Sequence, residues 1–367
     1  MGKETNFPYA GTPERYQKWE KEPVKLINVL EYTKKELGYH LPESLQKVEK
    51  AELTPEQAVD IDNRALQNPD CPNIVFGRPH AGEYVPQSLL DKMDRKAYGT
   101  LAMIDRGTEE IFKSEKILSV GTKISRLFVD PNRPPLMNMK VSNPRAVGKV
   151  FWYKGIYGEN MYQEGKEPKN EEIEDLVERF YLPYYNGMMG SIGTLTDQRK
   201  SKNERVLVVD GHSAMVNAEF DFLWENYEIE DPKELPLFII GDTLKDDDDK
   251  EIGFTCDKDI VDAFKEALEE NFKSLPEGVQ EALLAKSKSK KIVGVNEYLK
   301  GVHNVKFYGQ RNEGVNSMQV ELNEGMYVDD KNDNYYNSSY NYDKMKIVKG
   351  LIEKTCLDIN PILKNKK

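Results

Sequence analysis

Asn73-Ile74-Val75-Phe76-Gly77-Arg78-Pro79-His80-Ala81-Gly82-Glu83 passes from an apolar run into a polar turn. The run Ile74-Val75-Phe76 is apolar without alternation, which is the pattern of a strand buried on both faces. Pro86 closes the segment, so His80 and Glu83 fall in a tight loop at the carboxyl end of that strand. In an open α/β sheet, ligands bind at that end. A His and a Glu three apart can face one metal ion, with Gly82 letting the backbone bend between them. His-x-x-Glu is common by chance, so the pair needs support from a third ligand, a base and a cationic site elsewhere.

Outward from this stretch, short apolar runs alternate with helical segments. Strands are predicted at 73–78, 99–104, 125–129, 206–209, 237–240, 305–308 and 318–322. Helices are predicted at 86–96, 170–185, 257–272, 276–285 and 343–356. Strands alternating with helices imply a mixed, mainly parallel central sheet covered on both faces, a three-layer αβα arrangement. A single α/β domain is expected to run from 71 to 367. Residues 1–70, polar and rich in Lys and Glu, read as a helical extension packed on the core. Within it, 24–37 reads as helix, and Thr54-Pro55-Glu56-Gln57 offers an N-cap with Pro at the first helical position. The run Lys-Asp-Asp-Asp-Asp-Lys at 245–250 reads as a solvated loop, and the Asn-, Asp-, Tyr- and Ser-rich stretch 329–342 as a low-complexity loop.

Composition narrows the class of function. The chain has 367 residues, 38% hydrophobic and 31% charged, which suits a globular protein with a very polar surface. No run approaches the ~18 apolar residues of a membrane span, and the first residues lack an apolar signal-peptide core. The net charge of -11 and pI ≈ 5.2 argue against nucleic acid as a partner, though not against a local cationic pocket. The three cysteines, Cys71, Cys256 and Cys356, are widely spaced and offer neither a disulfide framework nor a thiolate zinc site. A reducing, cytoplasmic setting is therefore the expectation. The oligomeric state stays open.

Three segments supply the missing chemistry. His212 follows Val208-Val209-Asp210-Gly211 at the end of a buried strand, beside an acidic residue able to orient it. Two strand-end histidines and Glu83 make three ligands with one coordination position left for water, the catalytic arrangement of zinc. Other divalent first-row metals also suit His and carboxylate ligands. His40 and His303, in a polar extension and a turn-like segment, are weaker candidates. Ser125-Arg126-Leu127-Phe128-Val129-Asp130-Pro131-Asn132-Arg133-Pro134 places two arginines and an asparagine in a proline-stiffened segment suited to holding a carboxylate. Alone it would equally be a salt-bridged loop. In Ser317-Met318-Gln319-Val320-Glu321-Leu322-Asn323, Glu321 alternates with apolar residues, a setting that can raise a carboxyl pKa and make a general base. Alone it would be an ordinary surface-facing strand residue.

Side by side, these segments resemble the N-formylglutamate amidohydrolase (deformylase) family, which is similar to zinc carboxypeptidases. The matching stretches are Pro79-His80-Ala81-Gly82 with Glu83, Asp105-Arg106-Gly107-Thr108, Arg126 with Val129-Asp130-Pro131-Asn132-Arg133, the stretch from Tyr157 to Tyr162, Pro183-Tyr184-Tyr185, Asp210-Gly211-His212-Ser213, Gly241-Asp242-Thr243, and Gln319-Val320-Glu321-Leu322 with Tyr327. They cover roughly residues 73 to 330. The resemblance implies a phosphorylase/hydrolase-like, zinc carboxypeptidase-like fold. It implies zinc on His80, Glu83 and His212, Glu321 as general base, Arg126 at the scissile carbonyl, and Asn132 and Arg133 on the substrate carboxylate. The implied substrate is a small anionic N-acyl amino acid such as N-formyl-L-glutamate. The family's Pro-Tyr-His reads Pro183-Tyr184-Tyr185 here, and the N-terminal extension and the 245–250 insertion are atypical. A carboxypeptidase-like enzyme on short peptides, and a non-catalytic binding protein on a hydrolase fold, are the alternatives to be separated.

Overall fold

A computed structural model describes residues 24–28, 50–54, 57–94, 97, 104–133, 153, 159–214, 234–245, 250–285, 287, 289–301, 303–331 and 334–365. The centre of the fold is a seven-stranded sheet. Its strands in chain order are β1 (Val59–Asp62), β2 (Ile74–Arg78), β3 (Leu118–Thr122), β4 (Val206–Ala214), β5 (Phe238–Gly241), β6 (Val293–Val295) and β7 (Val315–Asn323). Their spatial order is β6-β5-β7-β4-β2-β3-β1. The pairs β2–β3, β2–β4, β4–β7 and β5–β6 are parallel, while β7–β5 and β1–β3 are antiparallel. This is the mixed, mainly parallel α/β sheet that the strand–helix alternation predicts.

Both faces of the sheet are buried, and each carries its own set of alternate residues. On one face Ile74, Phe76, Leu207, Val209, Met318, Val320 and Leu322 pack under helices α3 (Lys258–Lys273) and α5 (Tyr342–Lys364). On the other, Val75, Leu118, Val120, Val206, Val208 and Val315 pack under α2 (Leu182–Lys200) and Tyr308 of α4 (His303–Tyr308). Helix α2 continues from α1 (Asn170–Leu176) through a π-helical turn, Val177–Tyr181. Strand residues burying both faces need no polar alternation, which is why β2 and the first half of β4 read as unbroken apolar runs.

Toward the carboxyl ends of β4 and β7 one face changes character. The residues that continue the Val206, Val208 and Val315 rows are Asp210, His212, Ser317, Gln319 and Glu321, all buried. The opposite face remains apolar to Leu322. A buried row that turns polar at one end of a central sheet marks a site rather than a core.

Several expectations are corrected. Residues 125–129 form a turn, with Phe128 and Val129 amides bonding back to Ser125, and the adjacent strand is β3. Residues 305–308 are helical, part of α4. Short apolar runs carry no period long enough to separate strand from helix. Val24–Asn28 is a strand, paired antiparallel with Lys50–Leu53 and Tyr84–Pro86, where helix is expected. At Thr54 the capping bonds form, Gln57 N donating to Thr54 Oγ1 and Thr54 N to Gln57 Oε1, but in place of the helix expected to follow, residues 57–58 make a turn. The chain then turns into β1, so the end of the supposed extension is an edge strand of the main sheet. Of the predicted helix 86–96, Gln87–Leu90 is helical. The low-complexity stretch begins as a hairpin of Val328–Lys331 with Asn334–Tyr340. Thr243–Lys245 pairs antiparallel with Glu251–Phe254, and the four aspartates of the acidic run between them in the sequence lie outside the described residues. So do residues 99–103 of the predicted strand 99–104.

Candidate metal centre and catalytic site

Strand β2 ends at Arg78, and His80 follows in the turn at its carboxyl end. His212 lies on β4, paired in register with Glu321 on β7. The chain reaches β4 by crossing back from β3 past β2, so the site sits where the strand order reverses.

His80 and His212 converge, with Asp105 between them. His80 Nδ1 is 3.1 Å from His212 Nδ1, and Asp105 Oδ2 is 3.3 Å from the first and 2.8 Å from the second. Each ring has a buried carboxylate behind it: His80 Nε2 lies 2.8 Å from Asp130 Oδ1, and His212 Nε2 lies 2.8 Å from Asp210 Oδ2. An ionised carboxylate only accepts, so in the tautomer in which each Nε2 donates to Asp130 or Asp210, a neutral ring turns its Nδ1 lone pair toward the other ring and toward Asp105 Oδ2. Two lone pairs and a carboxylate oxygen repel one another unless a cation lies between them. Ligands ~2.0–2.1 Å from a tetrahedral zinc stand about 3.3 Å apart, close to the spacings here. The donor set therefore fits a divalent metal, and each histidine has the carboxylate partner that orients metal-ligating imidazoles.

The electrostatics show the same demand for positive charge. Burial would lower the His212 pKa, yet the charge of Asp210, hydrogen bonds with Asp105 and Asp210, and the charge of Glu321 raise it well above its ordinary value. Burial would raise Asp105, but the His80 charge, hydrogen bonds with both rings and Arg126 pull it well below the usual range. Asp130 behaves likewise, burial being outweighed by His80, Arg126 and Arg133.

Glu321 is 8% exposed and accepts a short hydrogen bond from Gln319 Nε2. Burial pushes its carboxyl up to about 7; His212 and Arg126 oppose the rise, and Asp105 and Asp210 add to it. Arg126 donates from Nη1 to Asp105 Oδ1 at 3.2 Å and from Nη2 to Asp130 Oδ2 at 3.3 Å, with 17% of its side chain exposed. Asn132 is 1% exposed and sits behind His212, Nδ2 3.3 Å from His212 Nε2, while its Oδ1 accepts from Asn304 N at 2.9 Å. Arg133 is half-buried next to it. Glu83 is half-buried in the turn after His80 and lies outside the group of three ligand atoms within 4.8 Å of one another.

The structure adds residues that sequence reasoning left without roles. Asp105 belongs to the candidate ligand group and Asp130 backs His80, while Asp210 holds the orienting place beside His212 that the sequence suggested. Asn304 joins α4 to the site by donating to Asp210 Oδ1 at 3.1 Å. His303, beside it, has Nε2 3.4 Å from the Tyr181 hydroxyl and packs on Phe307. Burial and Arg133 push this imidazole down to about 4, against Asp130 and Asp210. The signal for the aspartates was present in the sequence, an acid two residues before His212 and another inside the Arg126–Arg133 segment.

A family model for N-formylglutamate amidohydrolase matches residues 73–328. The chain is similar to an N-formylglutamate amidohydrolase from Ralstonia eutropha, at 18% identity and a TM-score of 0.60, over 83% of this chain and 98% of that one. It is also similar to a gene product of Agrobacterium tumefaciens, at 18% identity and a TM-score of 0.48, over 83% of this chain and 96% of the other. A metallo-carboxypeptidase from Burkholderia cenocepacia aligns at 12% identity and a TM-score of 0.26, over 79% of this chain and 57% of its own. No curated protein matches the chain. The likeness to the Ralstonia structure bears on the fold; the family match spans the strands, the turn after β2 and every residue of the ligand group, and the chain belongs to the N-formylglutamate amidohydrolase family.

Proposed function

We propose that this protein is a cytoplasmic, zinc-dependent amidohydrolase. It removes the formyl or another small acyl group from an acidic amino acid such as N-formyl-L-glutamate, releasing formate and the free amino acid. The observation that carries the reading is the meeting of His80 Nδ1, His212 Nδ1 and Asp105 Oδ2, each ring backed by a carboxylate, one strand away from Glu321.

His80 and His212 would hold the ion. Asp105 is the carboxylate within reach, and Glu83, three residues from His80, is the one that spacing suggests. Metal content of Asp105→Ala and Glu83→Ala separates them. When bound, zinc activates a water and polarises the scissile carbonyl. Glu321, held up to about 7, is matched to accept a proton near neutral pH and return it to the leaving nitrogen. Arg126 keeps a positive charge beside the reacting carbonyl, where a donor supports a developing oxyanion. Arg133 supplies the cation for the substrate carboxylate, and Asn132 seats that segment against His212.

The test is metal analysis of the purified protein with a formate-release assay on N-formyl-L-glutamate. The expected result is about one zinc per chain and formate release abolished by chelation. Formate release at the native rate by metal-free protein overturns the reading, as does an inert N-formyl-L-glutamate alongside cleaved dipeptides.

A further inference from the structure

Asp105 and His212 come from distant parts of the chain, yet the residue following each one meets the same carboxylate. Glu324, 1% exposed, lies just beyond the end of β7. It accepts from Arg106 N at 3.1 Å and from Arg106 Nε at 2.8 Å, and pairs with Arg106 Nη2 at 2.6 Å. It also accepts from the Ser213 hydroxyl at 2.8 Å. The Tyr327 hydroxyl donates to Arg106 O at 2.8 Å. Gly107 then takes φ +80, and a Cβ there would come within 2.7 Å of the Tyr327 ring. The turn that carries Asp105 is thus fastened at a backbone N–H, a backbone carbonyl and a side chain.

A buried ion pair is weak evidence of stability, because desolvation offsets its attraction and apolar packing does as well. What it does supply is direction. Ser213 N lies 3.3 Å from Asp105 Oδ2, so the two gripped segments already touch at the ligand oxygen.

We propose that Glu324 is a positioning residue for the metal centre: by gripping Arg106 and Ser213 it sets the spacing of Asp105 Oδ2 and His212 Nδ1 and so the affinity for the divalent ion. This inference rests on the metal reading given above. Glu321 and Glu324 then divide one strand end between them, the first facing the reacting atoms and the second holding the ligands in register.

The experiment measures the zinc dissociation constant by chelator competition on the full chain, with thermal unfolding of the metal-free form alongside. It compares the native chain with Glu324→Gln, Ser213→Ala and the double variant Arg106→Gln/Glu324→Gln. Glu324→Gln should weaken zinc binding about 10–100-fold. Ser213→Ala, which removes one donor and no charge, should weaken it about fivefold. The double variant, free of an uncompensated buried charge, should recover much of the thermal stability and keep the weak affinity. Affinities within about twofold of native in Ser213→Ala and Glu324→Gln would sink the proposal. So would a double variant that regains stability and affinity together, the signature of a purely structural role. If Glu324→Gln does not fold, Ser213→Ala and the double variant decide. A native chain that binds no zinc removes the metal reading itself, whereas tight native binding with unchanged variants removes this inference alone.

Discussion

A buried glutamate held up to about 7 works as a base only once it has lost its proton, so kcat/KM should rise with pH through that region and level off above it. A cation bound at the neighbouring ligands favours the carboxylate, which puts the acid limb at or below about 7. Glu321→Gln should abolish this limb, cut kcat by about 10²–10⁴-fold and leave the zinc content unchanged. Retained activity in that variant would give the base role to another group. His303 gives a second pH effect of opposite origin. Its folded value of about 4 lies below the ordinary 6.5, so the unfolded chain takes up the proton first as pH falls. The stability gained by keeping it neutral is complete above 6.5 and lost by about 4. A shift of that size is worth about 3 kcal/mol. Urea unfolding at the two ends of this window should show His303→Asn losing about 3 kcal/mol less than the native chain; parallel losses would contradict it. At this scale the sequence showed His80 and His212 as the two histidines at the ends of strand-like runs, and Glu321 by its place among apolar neighbours. It could not show Asp105 joining them, because that contact depends on a tertiary turn held by Glu324. Asn132 likewise reads as a free donor, whereas burial places it behind His212.

Elements tell a different story from residues. β2 and β4 were legible because burial on both faces leaves an unbroken apolar run, and β7 because Met318, Val320 and Leu322 alternate with polar residues. β3, Leu118-Ser119-Val120-Gly121-Thr122, was not, since its buried serine and glycine imitate a turn. The three-residue β6 is too short for any period to emerge. The turn after β2 is where element and site depend on each other most. A Cβ on Gly82 would stand 2.1 Å from Ile124 O, 2.4 Å from Ile124 C and 2.6 Å from Ile124 N, all of them backbone atoms. Backbone cannot rotate away as a side chain can, so Gly82→Ala should destabilise by about 3 kcal/mol and displace His80. A melting temperature and zinc affinity equal to the native ones would show the turn to be more yielding than its geometry implies.

For the whole molecule, a metal held as proposed would be a ligand of the folded state. At zinc about 100 times the dissociation constant, the folded chain should gain about 2.7 kcal/mol, and chelation should lower the melting temperature by a matching amount. An identical melting temperature with and without chelator would contradict a metal centre of any consequence. The parallel pairing of β4 with β7, which sets Glu321 beside His212, joins segments far apart in the sequence. The candidate ligands at 80, 105 and 212 and the proposed base at 321 share no local segment, so no early hairpin or isolated helix could contain the proposed metal site. Such long-range pairings form late and slowly. Zinc should therefore leave the refolding rate unchanged and slow unfolding, since its contacts are absent from the transition state. Refolding and unfolding traces with and without the ion test this directly: on the proposed reading zinc would close a finished sheet and not start one.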